Sequence, residues 1–145
     1  MKAILAIDFG GRRIGIASGS VITGTSSQVA TLTASNGQPD WQQFDTIVSE
    51  WAPDLLVVGM PYNMDGSESA MSEKAKVFAG VLAERYDLPV DMVDERLTSA
   101  EASSILNEQR RLGLKTKKIN KAEIDSLAAC LIAESWLQMH ANQTK

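Results

Sequence analysis

Three carboxylates, Asp8, Glu95 and Asp125, stand where an acid is costly and therefore informative. Asp8 closes the apolar run Ala3-Ile4-Leu5-Ala6-Ile7, and a carboxylate at the end of a core strand needs a donor, a cation or a metal. Glu95 repeats the arrangement just beyond Val90 to Val93. Asp125 falls within a helical pattern, where at about 100° per residue it projects with Ala129, Ile132 and Trp136, inside the apolar stripe. The dipole of that helix contributes only about 0.3–1 kcal/mol near its first turn, against the several kcal/mol that desolvating a carboxylate costs. A cation is the better partner.

If the strands ending at Asp8 and Glu95 run parallel in one sheet, their C-terminal ends share an edge, and a capped helix can bring Asp125 over it. At an effective dielectric of about 20, two like charges about 4 Å apart repel by roughly 4 kcal/mol, so such a cluster takes up protons or binds a divalent ion. Oxygen donors alone select magnesium or manganese. Pairs of these ions activate water and stabilise the leaving oxygen in phosphodiester hydrolysis. Simpler roles stay open: Asp8 can cap the Gly10-Gly11 turn, and Glu95 can pair with Arg96 or a surface lysine. Asp94 could be an auxiliary ligand, although strand alternation turns it away from Glu95. Asp65 reads as a turn residue, Glu123 as a capping partner, and Asn63 or the Pro61 loop as a substrate contact.

Charge supplies the second chemical feature. The chain has a net charge of −4, which argues against a generic nucleic-acid coat protein. Yet between Asn107 and Lys121 the basic residues Arg110, Arg111, Lys115, Lys117, Lys118 and Lys121 are accompanied by a single acid, Glu108. That segment is either a solvated loop or a grip on phosphates, and Arg12 and Arg13 add two cations beside Asp8.

The elements that must position these groups follow a strand-helix rhythm. Ala3 to Ile7 suits a strand buried on both faces, Gly10-Gly11 supplies positive-φ turn residues, and Ile14 and Ile16 resume an alternation of period two. Ser18 to Thr25 reads as a loop with a weak strand at Val21-Ile22, Gln28 to Leu32 as a further strand, and Asn36-Gly37-Gln38-Pro39 as a turn. Asp40 with Gln43 caps a helix carrying Trp41, Phe44, Ile47, Val48 and Trp51 on one stripe, and Pro53 ends it. Leu55 to Gly59 is a second buried strand. Ser67, with Glu68 in the first turn, caps a helix whose face is Met71, Ala75, Phe78 and Leu82 as far as Tyr86. After Val90 to Val93, Thr98 with Glu101 opens another helix, and Asn120 with Glu123 caps the last one, through about Gln138. An α/β architecture follows, with a mainly parallel sheet and one antiparallel pair.

A chain of 145 residues fits one domain, here 1–140 with 141–145 as a tail, and needs no staple. Its one cysteine, Cys130, and one histidine, His140, exclude an internal disulfide and a His/Cys zinc site. The first apolar run is too short for a signal peptide and nothing reaches membrane-spanning length, so a cytoplasmic protein is expected. Helix apolar residues fall on single stripes, which favours a monomer.

Four motifs carry a resemblance to a known family. Ile7-Asp8-Phe9-Gly10 through Arg13-Ile14-Gly15-Ile16-Ala17, then Val57-Val58-Gly59-Met60-Pro61 with Asp65-Gly66, then Asp94-Glu95-Arg96-Leu97-Thr98, and Asp125-Ser126-Leu127-Ala128-Ala129 together resemble the YqgF/RuvX family. The match runs along nearly the whole chain in order. It implies a ribonuclease H-like, five-stranded mixed sheet flanked by helices, a site of Asp8, Glu95 and Asp125, and a nuclease that processes the 5′ end of precursor 16S rRNA in ribosome biogenesis. One departure stands out: Ala17-Ser18-Gly19-Ser20 replaces the Ser-Asp that many relatives carry, which puts contacts from that loop in doubt. The close rival is a Holliday junction resolvase, which uses the same site but needs a two-fold dimer. An actin-like ATPase lobe would need a second lobe, for which the chain has no room. A non-catalytic ribosome assembly factor gains nothing from three converging acids.

Overall fold

The computed structural model describes residues 3–61, 69–94 and 121–141, with side chains of the last stretch from 126 to 140. Strand β1 (Ala3–Phe9) is antiparallel to β2 (Arg13–Ser20) on one side and parallel to β5 (Leu55–Met60) on the other. The sheet continues outward through β3 (Thr25–Ser35) and a two-residue β4 (Gln38–Pro39), and on the far side through β6 (Val90–Asp94), parallel to β5. Six strands in the order β4-β3-β2-β1-β5-β6 result, one more than the five expected. The addition is β4, where the Asn36-Gly37 turn folds Gln38 and Pro39 back against Ser35 and Ala34. Both turn residues have positive φ, 52° and 76°, the geometry of a tight two-residue hairpin turn.

Alternation sends Leu5, Ile7 and Phe9 to one face and Ile4, Ala6 and Asp8 to the other. The first face packs against α1 (Trp41–Trp51) and α2 (Ala70–Tyr86) through Phe44, Ala75, Phe78 and Leu82. The second packs against α3 (Lys121–Ala141) through Ile132, Ala133, Trp136 and Leu137. Asp40 caps α1, its carboxylate accepting the Gln42 backbone N–H at 3.0 Å. Helix α2 is capped by Ser69 and not by Ser67, which lies outside the described residues. Ser69 and Ser72 form a reciprocal capping box, and both hydroxyls donate to the Pro61 carbonyl, at 2.8 and 3.0 Å. That knot ties the start of α2 to the end of β5 and explains why Ser72 is fully buried.

Other local expectations need correction. Strand β2 runs on through Ser20 and β3 begins at Thr25, while Val21-Ile22 lie in the turn between them, closed by a Gly24 N–H to Ser20 carbonyl bond of 2.8 Å. Gly10 and Gly11 do not use positive φ, which among the described glycines belongs to Gly24 and Gly37. What requires glycine at position 10 is space, since a Cβ there would lie 2.6 Å from the Arg13 carbonyl oxygen. Trp51 is 44% exposed, Val77 is 68% exposed and Val81 37% exposed, so α1 and α2 are less fully covered than single stripes imply. The helix expected from Thr98 lies outside the described residues. Among the described residues no helix is long and apolar enough to cross a membrane.

Candidate functional site

Asp8 is the penultimate residue of β1, half-buried, on the face that α3 covers. Its partner across the antiparallel pair is Gly15. On the parallel side Ile7 pairs with Val58, so continuing the register by one residue brings Gly59 alongside Asp8. Asp8 is thus flanked on both sides by glycines, which set no side chain beside its carboxylate.

The condition set for Glu95 is met as far as the described residues reach. Strands β1 and β6 are both parallel to β5 and therefore to each other, with β5 between them. Their C-terminal ends share one edge, with backbones roughly 9–10 Å apart across two strand spacings. Along β6, Asp91 and Val93 face α3: the Trp136 indole N–H donates to Asp91 at 2.8 Å, and Val93 packs with Ile132. Met92 faces the other way, as does Asp94, the exposed last residue of β6. Glu95 is the next residue in the sequence with the parity of Asp91 and Val93, and it lies outside the described residues.

The direction of α3 bears on Asp125. Its C-terminal part sits over the start of β1, because a Cβ on Gly19 would meet Ile4 at 2.8 Å and Leu137 at 3.3 Å. One turn beyond position 125, Ala129 packs against Ala17, and the Ser126 hydroxyl donates to the Gln28 side chain at 2.7 Å. Ala17 and Gln28 lie nearer the Asp8 edge than Gly19 and Ile4 do. The helix therefore runs with its N-terminal end toward the edge that carries Asp8. The backbone of residue 125 belongs to that end, while its side chain is outside the described set. Among the described residues no group of three metal-ligating side chains occurs, which leaves Asp8 as the described member of the expected triad.

Cys130 is no candidate nucleophile: it is buried against Ala17 and Ala129, and burial pushes its thiol up. His140 stacks on Trp136, with ring centroids 4.0 Å apart. Of the expected nucleic-acid contacts, Arg13 opens β2 and Arg12 is exposed in the preceding turn, whereas Arg110, Arg111, Lys115, Lys117 and Lys118 lie outside the described residues, as do Asn63 and Asp65. Sequence reasoning missed Lys74, which lines a hollow together with Arg12, because the two are distant in sequence and share no motif.

A family model described as "RuvX: Holliday junction resolvase" matches residues 2–139. The chain belongs to the RuvX family. A relative from Glaesserella parasuis is 44% identical over 140 residues, covering 97% of this chain and 99% of that protein. Another, from Haemophilus ducreyi, is 48% identical over 133 residues, with 92% and 94% coverage. Both names contain the words pre-16S rRNA nuclease. Among solved structures, Thermus thermophilus RuvC in complex with a Holliday junction substrate aligns with a TM-score of 0.57 at 16% identity, covering 96% of both chains. The fowlpox virus resolvase with its junction DNA aligns with a TM-score of 0.54 at 11% identity, covering 94% of this chain and 97% of that one. At such identities these two establish the fold alone: a ribonuclease H-like mixed sheet with helices on both faces.

Proposed function

We propose that this RuvX-family chain is a divalent-metal-dependent endonuclease that processes the 5′ end of precursor 16S rRNA. The observation that carries the reading is Asp8, set between Gly15 and Gly59 at the edge where β1 and β6 end in parallel and toward which α3 directs its N-terminal end. The donor chemistry fits: Asp8, Glu95 and Asp125 would hold magnesium or manganese through hard carboxylate oxygens. Bound there, the metal supplies a water nucleophile at neutral pH and charge stabilisation for the leaving oxygen. The remainder falls to the chain. The glycines paired with Asp8 set no side chain beside it, Arg12 lies in the adjoining turn and Arg13 opens β2, and the basic segment from Arg110 to Lys118 would supply further phosphate contacts. One acid edge suffices to cut one strand, so a cytoplasmic monomer can do this work.

The name relatives carry and the description of the matching family model name different substrates, so the deciding experiment offers both. Pure protein is incubated with end-labelled precursor 16S rRNA and with a four-way DNA junction, in magnesium, manganese or chelator. Metal-dependent cleavage of the RNA at a discrete 5′ position is expected. Symmetric nicking of the junction by a tight dimer, with the RNA left intact, would reverse the choice.

A further inference from the structure

Two adjoining hollows lie where the β1-β2 turn, the β3-β4 turn and α2 meet. One, of about 370 Å³, is bordered by Arg12 and Lys74 with the polar turn residues Ser35 and Asn36. The other, of about 270 Å³, has an apolar lining of Phe9, Phe78, Val77 and Val81. Asn36, Gly37 and Lys74 border both, so the hollows form one continuous slot with an apolar half and a cationic half.

The slot is built and held open by the fold. Phe9 and Phe78 sit with ring centroids 4.7 Å apart, and the Gly37 backbone lies so close to Phe9 that a Cβ would fall 2.8 Å from the ring. The two turns are tied together by Ala34 N–H to Arg12 carbonyl and Gly37 N–H to Gly11 carbonyl bonds of 2.8 and 3.0 Å. Preformed pockets of this kind spend little free energy on ordering when a ligand arrives. Val77 and Val81 occupy the exposed side of α2, one turn apart, with Lys74 one turn before them. Among the described residues no carboxylate pairs with Arg12 or Lys74. The nearest acid in sequence, Glu73, borders only the apolar half and lies 4.0 Å from Lys76.

An apolar slot flanked by two cations matches one ligand chemistry, a nucleotide, with a flat base whose faces can pack on apolar side chains and an anionic phosphate. A protein partner would need about 800 Å² of its surface buried, far more than these few side chains offer. Gly11 and Arg12 follow Asp8 by three and four residues, a span of at most about 10–14 Å of chain. The slot therefore opens near the acid edge but on the opposite face of the sheet. We propose that it is a subsite for an unpaired nucleotide of the RNA substrate, its base against Val77, Val81 and the edge of Phe78, its phosphate between Arg12 and Lys74. The assignment rests on the nuclease reading for the identity of the strand and deepens it, since a pocket that takes one splayed base selects single-stranded over duplex substrate.

The test uses the full chain in chelator, so that binding is read apart from cleavage. A short single-stranded RNA carrying one 4-thiouridine is titrated, irradiated and the cross-linked peptide mapped. Cross-links on the segment containing Val77 and Val81 are expected. Lys74→Gln and Val77→Glu, both at exposed positions, should each weaken binding at least about five-fold, and Lys74→Gln should flatten the salt dependence by roughly 0.7 in log-log slope. A blunt duplex should bind both variants as it binds wild type. Should Val77→Glu fail to fold, Lys74→Gln and the cross-link map decide. Cross-links confined to other segments, or unchanged affinity in the folded variants, overturn the subsite. So does sedimentation in which Val77→Glu dissociates a dimer without altering RNA affinity, because a second copy would then fill the slot. The nuclease reading fails separately, if Asp8→Asn cleaves as wild type does, and that variant should still cross-link at the slot.

Discussion

The two faces of the sheet are packed with side chains of different size. Against α1 and α2 the sheet offers Phe9, Ile14 and Ile16, and the helices answer with Phe44 and Phe78, with Trp41 and Tyr86 beside them. Against α3 the sheet offers Ala6, Ala17 and Gly19 among the aliphatic Ile4, Leu55, Val57 and Val93, and the helix answers with Ala129 and Ala133 beside larger groups nearer its end. Bulky rings fill a thick layer, each burying a large apolar area. Alanines and glycines let a helix lie close, and closeness at the N-terminal end of α3 is what a site shared between a strand and a helix requires. The first face carries most of the aromatic packing; on the proposed reading, the second gives up side-chain volume near the N-terminal end of α3 so that the acids can come together.

The largest effect expected from this division is on chemistry alone. On the proposed nuclease reading, Asp8→Asn would remove a metal ligand without emptying any space, so cleavage should fall below detection while the thermal midpoint holds or rises, because the other two acids of the proposed site would lose a repelling charge. Manganese should then stabilise the variant less than wild type in a thermal melt. Equal stabilisation would put the metal elsewhere.

Phe44→Ala strikes the opposite face. Phe44 is fully buried, with ring centroids 5.8 Å from Tyr86 and 6.2 Å from Phe78, and its truncation should cost about 3–5 kcal/mol in denaturant unfolding. Cleavage per folded molecule should change little. A large loss of activity at full folding would break the separation of the faces.

Ala129→Leu sharpens the contrast from the other side. Position 129 is fully buried against Ala17, so the added methylenes must push α3 away from β2, at about 1–3 kcal/mol. That is less than Phe44→Ala costs, yet activity should suffer more, because the helix that moves carries Asp125. Preserved activity with the expected destabilisation would show that the approach of α3 at this point does not position the acids.

The same contrast explains what was legible in the sequence. Strands β1 and β5 were readable because they are buried on both faces and run unbroken in apolar residues, and α1 because Asp40 caps it and Phe44 lies on its stripe. The length of β2 and β3 was not. Ala17-Ser18-Gly19-Ser20 and Thr25-Ser26-Ser27 look like loop because they lack large alternating side chains, but at Gly19 the space is already taken by Ile4 and Leu137. Small residues there record a helix overhead. Asp8 was readable as a misplaced acid at a strand end. The slot shared by Arg12 and Lys74 was not, since it exists only after two turns and a distant helix are brought together.

The smallest effect expected concerns the link between α1 and α2. Arg85 donates to both carboxylate oxygens of Asp45, at 2.8 and 2.7 Å, and the Tyr86 hydroxyl donates to the same group at 2.6 Å. The guanidinium also lies over the Trp41 ring, 4.8 Å from its centroid. The Arg85 hydrogen bonds foremost, then that of Tyr86, hold the Asp45 carboxyl down at about 2 against an ordinary 3.8. A folded-state value below the unfolded one means that the contribution is complete above about pH 4 and is lost as pH falls toward 2. Both partners are well exposed, with side chains 39% and 45% accessible, so solvent and salt weaken the pair and the effect stays small. Thermal midpoints of wild type and Asp45→Asn, followed from about pH 5 to pH 2, should therefore converge as the acid end is reached, and should lie closer together throughout in molar salt. Cleavage at neutral pH should be the same for both, because this link ties together helices on the face away from Asp8. Coincident curves across the whole range would show that the α1–α2 link adds nothing to folding, leaving the aromatic layer to hold that face by packing alone, and parallel curves with a constant gap would show that the contribution does not depend on the charge of Asp45.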